Sequence, residues 1–323
     1  PVLLFYAFSN IDFTINDFNS LMKRFDSFFI LFVVGICADI LFPQFGDFLT
    51  NTLLPNYKHG EQRLGIRCIQ GFFPRADSVN VFALVYYIYY KYYVSYSPNW
   101  KYYFMIVITF LTLKVKDVLG LILSISLPIF KSIKMWHFVF AGIVFYFLVL
   151  LYSILLPEHY NNYMNFDSDS NTARVCLNVT SIRIAHDYIP FGVGFGQFGS
   201  PTSRDLDSPI YYEYGINKVY GLNYDSDGGK YMVDTFWPMI LGETGIAGTI
   251  MFIILLYIVF RPFVKDFLID TTNIYSLFPS LLFIAMLIIS IAKPSLLGPP
   301  NSLFLWGIAG IFHSIRNKVT YIN

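Results

Sequence analysis

The sequence predicts an all-α polytopic membrane protein, and three observations carry this prediction. The chain of 323 residues is 55% hydrophobic and 20% aromatic. Only 13% of its residues are charged, about half the share found in soluble domains. Its apolar residues form runs near the length of about 20 residues that a membrane-spanning helix needs. A net charge of +1 argues against nucleic-acid binding, which requires a basic surface, and 3 cysteines exclude a secreted disulfide scaffold.

About eight candidate spans follow a short apolar segment at residues 1–8. They lie near 27–43, 77–95, 101–114, 117–131, 135–157, 236–262, 274–292 and 298–314. Lys114 and Asp117 interrupt the stretch 101–131, which can form two short helices or a re-entrant segment. We expect two helices, because the remaining topology is then consistent. Since the chain begins with Pro1 inside an apolar run, we also expect it to be the C-terminal portion of a longer protein, with further spans before it.

Lys and Arg in the short connections predict which loops face the cytoplasm. One set of alternate connections holds most of these residues: Lys23, Arg24, Lys101, Lys131, Lys134, Arg261, Lys265, Arg316 and Lys318. With that set inside, the two long connections lie on the extracytoplasmic side. The chain then divides into transmembrane helices over 1–157 with an outside loop near 44–76, a large outside loop over 158–235, and C-terminal transmembrane helices over 236–323.

The outside arginines are the first candidates for a functional site. Arg63 and Arg67 lie four apart, which on a helix places both on one face. Arg174 and Arg183 lie nine apart, so on one helix they would point to different sides. Guanidinium groups bind phosphate through paired, charge-assisted hydrogen bonds. The arginines therefore predict a diphosphate site at the membrane surface, and the alternative is that they contact only water or lipid head groups.

A glycine-rich segment, PFGVGFGQFG, lies within the large outside loop. Gly194, Gly196 and Gly199 match the dinucleotide pattern G-x-G-x-x-G, but the strand and helix that this pattern requires are missing from the sequence around it. We therefore expect a tight turn that lets the backbone approach a ligand or another helix. Pro190 before this segment predicts that a preceding helix ends there, at the membrane surface.

Two carboxylates stand where the large loop re-enters the membrane. Asp234 can act as a general base or as the N-cap of the helix that contains Trp237, and one residue can do both. Glu243 lies about two turns into that helix, and an ionisable group at membrane depth is a functional candidate. Within other spans, Asp39 and Asp117 are each able to pair with an arginine from the long loops.

Other reactive residues give weaker signals. His186 and Asp187 are adjacent, so we expect their side chains to diverge and not to form a catalytic dyad. No H-E-x-x-H or C-x-x-C pattern is present, and we expect neither a metal nor a cofactor. Cys68 and Cys176 can bridge the two outside loops or serve as small apolar residues, and we favour the second role.

The order of these features resembles the O-antigen polymerase and ligase superfamily. The resemblance rests on an outside arginine before G-F-F and an Asn-led span, an arginine shortly before P-F-G-V-G-F-G, and D-T-F-W-P-M-I-L-G-E-T-G-I-A-G leading into a helix. It covers about residues 60–260. It implies a GT-C-like helical bundle and a Wzy-type polymerase in the bacterial inner membrane. Such enzymes join repeat units carried on undecaprenyl diphosphate at the periplasmic face.

The resemblance also implies roles for individual residues. Arg67 and Arg174 would hold the diphosphate and Asp234 would take the proton of the acceptor sugar. Residues expected to contribute to substrate binding are Arg63, Arg183, Gly194, Gly196 and Glu243. Its implied partners are undecaprenyl-diphosphate-linked glycans, membrane lipids, and a chain-length regulator and a flippase of the same pathway, without nucleic acid.

The alternatives are a ligase or O-oligosaccharyltransferase of the same superfamily, a polysaccharide transporter, and a non-catalytic partner. Ligases typically carry a histidine near the exit of the long loop, where this chain has V-D-T-F, and this difference favours a polymerase. A transporter would show paired repeats with interrupted helices, and no internal repeat is evident in the sequence.

Overall fold

The computed structural model describes residues 1–42, 44, 48, 62–63, 66–73, 76–94, 99–130, 172–224, 228–291 and 293–322, and isolated positions between 132 and 154. This part of the chain is helical, as predicted, apart from one two-residue antiparallel strand pair. The elements are α1 (Val2–Ser9), α2 (Ile15–Leu41), β1 (Gln62–Arg63), β2 (Ile66–Arg67), α3 (Ala76–Tyr92), α4 (Asn99–Leu111), α5 (Val115–Ser126), α6 (Ala173–Asp187), α7 (Pro201–Asp205), α8 (Ile210–Glu213), α9 (Trp237–Ile269), α10 (Ile274–Ser290) and α11 (Asn301–Ile322).

The chain forms two compact units. Unit 1 comprises residues 1–132, 262–289 and 296–323, and unit 2 comprises 133–261 and 290–295. One of the points at which the chain passes from one unit to the other falls inside α9, between Arg261 and Pro262.

Unit 1 is a helical bundle with an aromatic core. Its α2 begins at a capping box, in which Thr14 and Asp17 satisfy each other's backbone N–H groups. Phe18, one turn further, is buried and its ring lies edge-on to those of Tyr89, Phe278 and Phe312, which belong to α3, α10 and α11. Burying aromatic rings in edge-to-face contact stabilises the packing of these four helices.

The interrupted stretch 101–131 forms two helices, as the sequence predicts. Leu113 adopts a left-handed conformation between α4 and α5, with φ of 56°. The interrupting Lys114 is buried and its Nζ lies 3.4 Å from the carboxylate of Asp77. Asp117 accepts a hydrogen bond of 2.8 Å from the amide of Asn80. Lys114 and Asp117 therefore both contact polar residues of α3.

Among the described residues, α9 alone is long and apolar enough to cross a membrane, judged by length and composition. Residues 100–111 and α10 are shorter apolar helices. Most of the candidate span at 135–157 falls outside the described residues. The number of spans and the boundaries predicted from it thus stay predictions.

Unit 2 contains the described part of the large polar loop, which is folded. α6, α7 and α8 pack around a hydrophobic core formed by Ala173, Leu177, Ile184, Phe198, Ile210, Tyr211, Ile216, Leu222 and Met232. The Phe198 and Tyr211 rings stack within it, 5.7 Å apart. A core of this kind fixes the polar residues around it in defined positions.

Candidate functional site

Arg174 and Asp234, both predicted as catalytic, contact each other in unit 2. Arg174 lies in the first turn of α6, and its Nη2 is 3.2 Å from Asp234 Oδ2. The two side chains are 42% and 28% exposed, so both are accessible from solvent. A partly exposed Arg–Asp pair contributes at most about 1 kcal/mol to stability.

Asp234 is not the N-cap of the following helix, and that part of the prediction is wrong. α9 begins at Trp237, three residues later in the chain. The Asp234 N–H donates to the carbonyl of Tyr231 at 3.1 Å, so Asp234 belongs to a turn before the helix. Its carboxylate contacts Arg174 instead of the N–H groups of the first helical turn. The prediction failed because capping propensity does not include this long-range partner.

The glycine segment forms a tight turn against a break in α9. Gly245 interrupts the helix with φ of 65° and ψ of −166°. The N–H groups of Val193 and Gly194 donate at 3.0 Å to the carbonyls of Gly242 and Glu243. The backbone of residues 190–194 therefore bonds to α9 where its helical hydrogen bonds are broken, and it confirms the predicted approach of the turn to another helix.

Ala247 completes this contact from the other side of the break, since its N–H donates to the carbonyl of Pro190 at 3.1 Å. The two backbones meet closely, because a Cβ atom on Gly245 would lie 2.5 Å from the Gly192 nitrogen. Only glycine fits both the left-handed conformation and this close contact. We name the residues 189–195 the glycine turn.

Glu243 is buried, and its carboxylate accepts hydrogen bonds from the segment that follows the glycine turn. It accepts a hydrogen bond of 3.3 Å from the backbone N–H of Phe198. It also interacts with the hydroxyl of Ser200 and with the backbone N–H groups of Gly196 and Gln197. In this network Glu243 and Gly196 bond to each other, and the other partners of Glu243 also belong to the protein. Their predicted contact with substrate is not part of this arrangement.

Gly194 differs from Gly196 in the space beside it. Its φ is +95°, and no atom of the described residues lies within 4 Å of the position that a Cβ would occupy. Its outer side is therefore open, which is what the predicted approach of a ligand requires.

A buried tyrosine, which the sequence analysis did not identify, supports the same segment. The hydroxyl of Tyr211 accepts a hydrogen bond of 2.9 Å from the Gly199 N–H and lies 3.3 Å from the hydroxyl of Ser203. Burial raises the pKa of Tyr211, so it stays a neutral phenol. The sequence gives no local signal for this role, since the partners come together only in the folded loop.

The last turn of α6 carries an exposed polar group. Arg183 is exposed, nine residues after Arg174 on the same helix, as predicted. His186 Nδ1 lies 3.0 Å from Asp187 Oδ1, so the expectation that these side chains diverge is wrong. Hydrogen bonds from His186 and then from Tyr214 lower the pKa of Asp187. Adjacent residues can meet in this way because both lie at the exposed end of the helix, where the side chains rotate freely.

Arg67, the third predicted catalytic residue, lies in unit 1. It forms an ion pair with Asp39 of α2, which confirms the expectation that Asp39 pairs with an arginine from a long loop. The Asp39 carboxylate also accepts hydrogen bonds from the backbone N–H groups of Gln70 at 2.7 Å and Gly71 at 2.9 Å. A buried carboxylate with these partners holds Arg67 and the chain after it against α2.

Arg63 and Arg67 do not share a helix face. They lie on β1 and β2, where Arg63 pairs with Ile66 and Arg67 pairs with Gln62. A spacing of four is compatible with a short hairpin as well as with a helix, and the hairpin is found. The side chain of Arg63 lies outside the described part of the structure, and its predicted role stays a prediction.

Of the predicted catalytic residues, Arg67 belongs to unit 1, and Arg174 and Asp234 belong to unit 2. No group of three or more His, Cys, Asp or Glu residues suited to a metal ion occurs within the described residues. Cys68 and Cys176 are free thiols. No protein-family model matches this chain, and no curated protein matches it.

Proposed function

We propose that this chain is part of a multi-pass membrane glycosyltransferase of the O-antigen polymerase type, acting on glycans linked to undecaprenyl diphosphate. The proposed setting is the bacterial inner membrane, with the large loop on the periplasmic side and a GT-C-like arrangement of helices. The observation that carries the proposal is the contact between Arg174 and Asp234, which are 60 residues apart in sequence and meet in an accessible position.

This pair offers the two groups that glycosyl transfer from a lipid diphosphate needs. The acceptor hydroxyl oxygen forms a bond to the anomeric carbon of the donor, and the bond from that carbon to the diphosphate oxygen breaks. Arg174 stabilises the negative charge that develops on the departing diphosphate. The carboxylate of Asp234 accepts the proton of the acceptor hydroxyl.

In the proposed site, Arg174 exchanges its contact with Asp234 for a contact with the diphosphate of the substrate. A diphosphate offers Arg174 more negative charge and more acceptor oxygens than Asp234 does, and guanidinium binds such groups in a bidentate manner. Its binding would release the Asp234 carboxylate from Arg174 beside the reacting sugar. The open side of Gly194, in the same unit, provides backbone that a substrate can approach.

A polysaccharide transporter is the second candidate, and the break in α9 is the observation that favours it. Transporters use unwound helices to expose backbone groups to a solute. Here the carbonyls of Gly242 and Glu243 and the N–H of Ala247 are already bonded to the glycine turn. A broken helix whose backbone groups are satisfied by the protein itself gives less support to solute binding than to a structural junction.

The first experiment replaces Arg174 in the full-length protein, expressed in the native host lacking its own copy of the gene. We expect Arg174→Ala to reduce polymerisation about 10²–10³-fold, since one group that stabilises developing charge is lost. Surface polysaccharide on gels should then show lipid A core with a single repeat unit. Arg174→Lys keeps the charge but loses the fork of donors, and we expect it to restore little activity. A polymer ladder of normal intensity from Arg174→Ala would refute the proposal.

The second experiment separates catalysis from a structural role for the pair. The double variant Arg174→Asp/Asp234→Arg restores an ion pair with exchanged charges, and we expect it to remain inactive because neither group then has its chemical role. Recovery of the ladder in this variant would mean that the pair is structural. Arg204→Ala is the matched control, since Arg204 forms an exposed pair with Asp205 in the same unit. It should leave the ladder unchanged.

The ligase alternative predicts a different product pattern. Loss of a ligase leaves lipid A core without repeats and leaves polymer on its lipid carrier. Arg67→Ala tests the predicted diphosphate contact of unit 1 separately. Asp39→Asn keeps the arginine but weakens its ion pair and destabilises unit 1, so its ladder shows how much of any loss in Arg67→Ala comes from lost stability.

A further inference from the structure

The surface of the glycine turn is unusually apolar for a polar loop. Phe195 is 84% exposed, Phe191 72% and Ile189 62%. These three large side chains stand within seven residues of chain, and Ile182 on the preceding α6 is exposed as well. Contiguous exposed apolar side chains on a folded protein mark a contact with another apolar phase or partner.

The backbone contacts place this patch beside the break in α9. The glycine turn bonds to Gly242, Glu243 and Ala247, which surround the break at Gly245. Ile246, directly after the break, is itself exposed. The apolar surface then continues along α9 through further exposed side chains: Ile250, Met251, Ile253, Ile254, Tyr257 and Ile258. The patch is therefore continuous with the exposed side of the helix that is able to cross a membrane.

The length of α9 fixes the depth of this junction. Residues 246–260 contain no charged side chain, and at roughly 1.5 Å per residue they extend about 22 Å. Arg261 follows, with its guanidinium over the Tyr257 ring at 5.3 Å, a pair of residue types that favours the membrane boundary. The hydrocarbon core is about 30 Å thick. With Arg261 at one boundary, Ile246 lies about 8 Å short of the opposite boundary, so the glycine turn beside it lies near that boundary and does not extend into bulk water.

We propose that the glycine turn inserts Phe191, Phe195 and Ile189 into the lipid bilayer at this boundary and so anchors unit 2 on the membrane surface. Phe and other large apolar side chains of interfacial segments are buried at the boundary between the head groups and the acyl chains. The end of α6 agrees with this position, since Arg183 and His186 are exposed there, one turn before the patch, where head groups accept charge. The inference requires only that α9 cross the membrane, and it does not depend on glycosyl transfer.

The experiment measures lipid exposure of a nitroxide label at the patch. Cys37→Ser, Cys68→Ala and Cys176→Ala remove the native thiols, and single cysteines are then introduced as Phe195→Cys, Ile189→Cys, Met251→Cys and Asp205→Cys. The full chain is reconstituted into vesicles of phosphatidylcholine and phosphatidylglycerol. Met251→Cys is the lipid-facing reference and Asp205→Cys, at an exposed carboxylate, is the aqueous reference.

We expect labels at 195 and 189 to collide several-fold more with oxygen than with a water-soluble nickel chelate, as the label at 251 does. The label at 205 should show the reverse. Collision with the nickel chelate at 195 equal to that at 205 would place the turn in water and overturn the proposal. Low access to both reagents would also overturn it, since the patch would then be covered by protein.

A second measurement tests the proposal if the variants that lack the native cysteines do not fold. Phe195→Trp in the otherwise native chain adds one tryptophan, and brominated phosphatidylcholine should quench this added emission. Unquenched added emission would contradict insertion. Either result leaves the polymer-ladder experiments unaffected, because Phe195 has no place in the proposed chemistry.

Discussion

Gly245→Ala tests whether the glycine turn and the break in α9 form one structural element. Gly245 has φ of 65° and ψ of −166°, a combination that only glycine adopts without strain, and an alanine there costs about 1–3 kcal/mol. Its Cβ would lie 2.5 Å from the Gly192 nitrogen and 2.7 Å from the Phe191 carbonyl carbon. These contacts are with backbone atoms that cannot rotate away. Overpacking of this kind adds about 1–3 kcal/mol, for a total of about 2–6 kcal/mol.

Gly194→Ala is the matched control. Its φ is also positive, at +95°, but in the described part of the chain nothing lies within 4 Å of a Cβ at that position. We therefore expect only the backbone cost of about 1–2 kcal/mol. The free energy of unfolding of both variants is measured by tryptophan fluorescence during SDS titration in mixed micelles. Equal destabilisation by Gly245→Ala and Gly194→Ala would refute the close contact between the turn and the break.

Three further predictions concern the groups around the candidate site. Asp39→Asn should destabilise unit 1 by about 1.5–3 kcal/mol in the same titration, because the buried acceptor that Arg67 shares with the N–H groups of Gln70 and Gly71 loses its charge. Asp205→Asn, at an exposed pair, should change stability by less than about 1 kcal/mol, and equal effects would contradict the burial of Asp39. Tyr211→Phe should cost about 1–3 kcal/mol, since the buried Gly199 N–H loses its acceptor, and an unchanged midpoint would show that this bond is not needed. The hydrogen bond from His186 is the main cause of the lowered pKa of Asp187, so the ionised carboxylate stabilises the fold fully above the ordinary carboxyl pKa near 4, and this stabilisation is lost as the pH falls below that value. Asp187→Asn should therefore reduce the dependence of the unfolding free energy on acid pH, and an unaltered pH profile in this variant would contradict the assignment.

Local patterns in the sequence predicted those features that depend on local chemistry. The division at residues 101–131 followed from charged residues between two apolar runs, and the structure has separate helices there. The pairing of Asp39 followed from the cost of an isolated carboxylate within an apolar helix, and its partner is Arg67. The glycine turn followed from the conformational freedom of glycine, and these glycines have positive φ.

The features that the sequence did not predict depend on contacts between distant segments. The spacing of Arg63 and Arg67 fits a helix and a hairpin equally well, so periodicity alone does not distinguish them. Aspartate is a residue type favoured at N-caps, but the carboxylate of Asp234 contacts Arg174, which is distant in the sequence. The break in α9 was not predicted either, because Gly245 alone does not break a helix, and the hydrogen bonds that replace the helical ones come from residues 190–194.

The break in α9 has a consequence for how the protein is made. The glycine turn precedes Gly242 and Ala247 in the chain, so it is synthesised before the helix to which it bonds. If α9 entered the bilayer as a straight helix, Glu243 would be carried along an apolar helix without the backbone donors that it has in the native state. The donors lie at residues 196–198, directly after the glycine turn, so docking of the turn against the break brings them to Glu243. If α9 crosses the bilayer, its insertion and the folding of the polar loop therefore depend on each other, and a lesion in either should leave both incomplete.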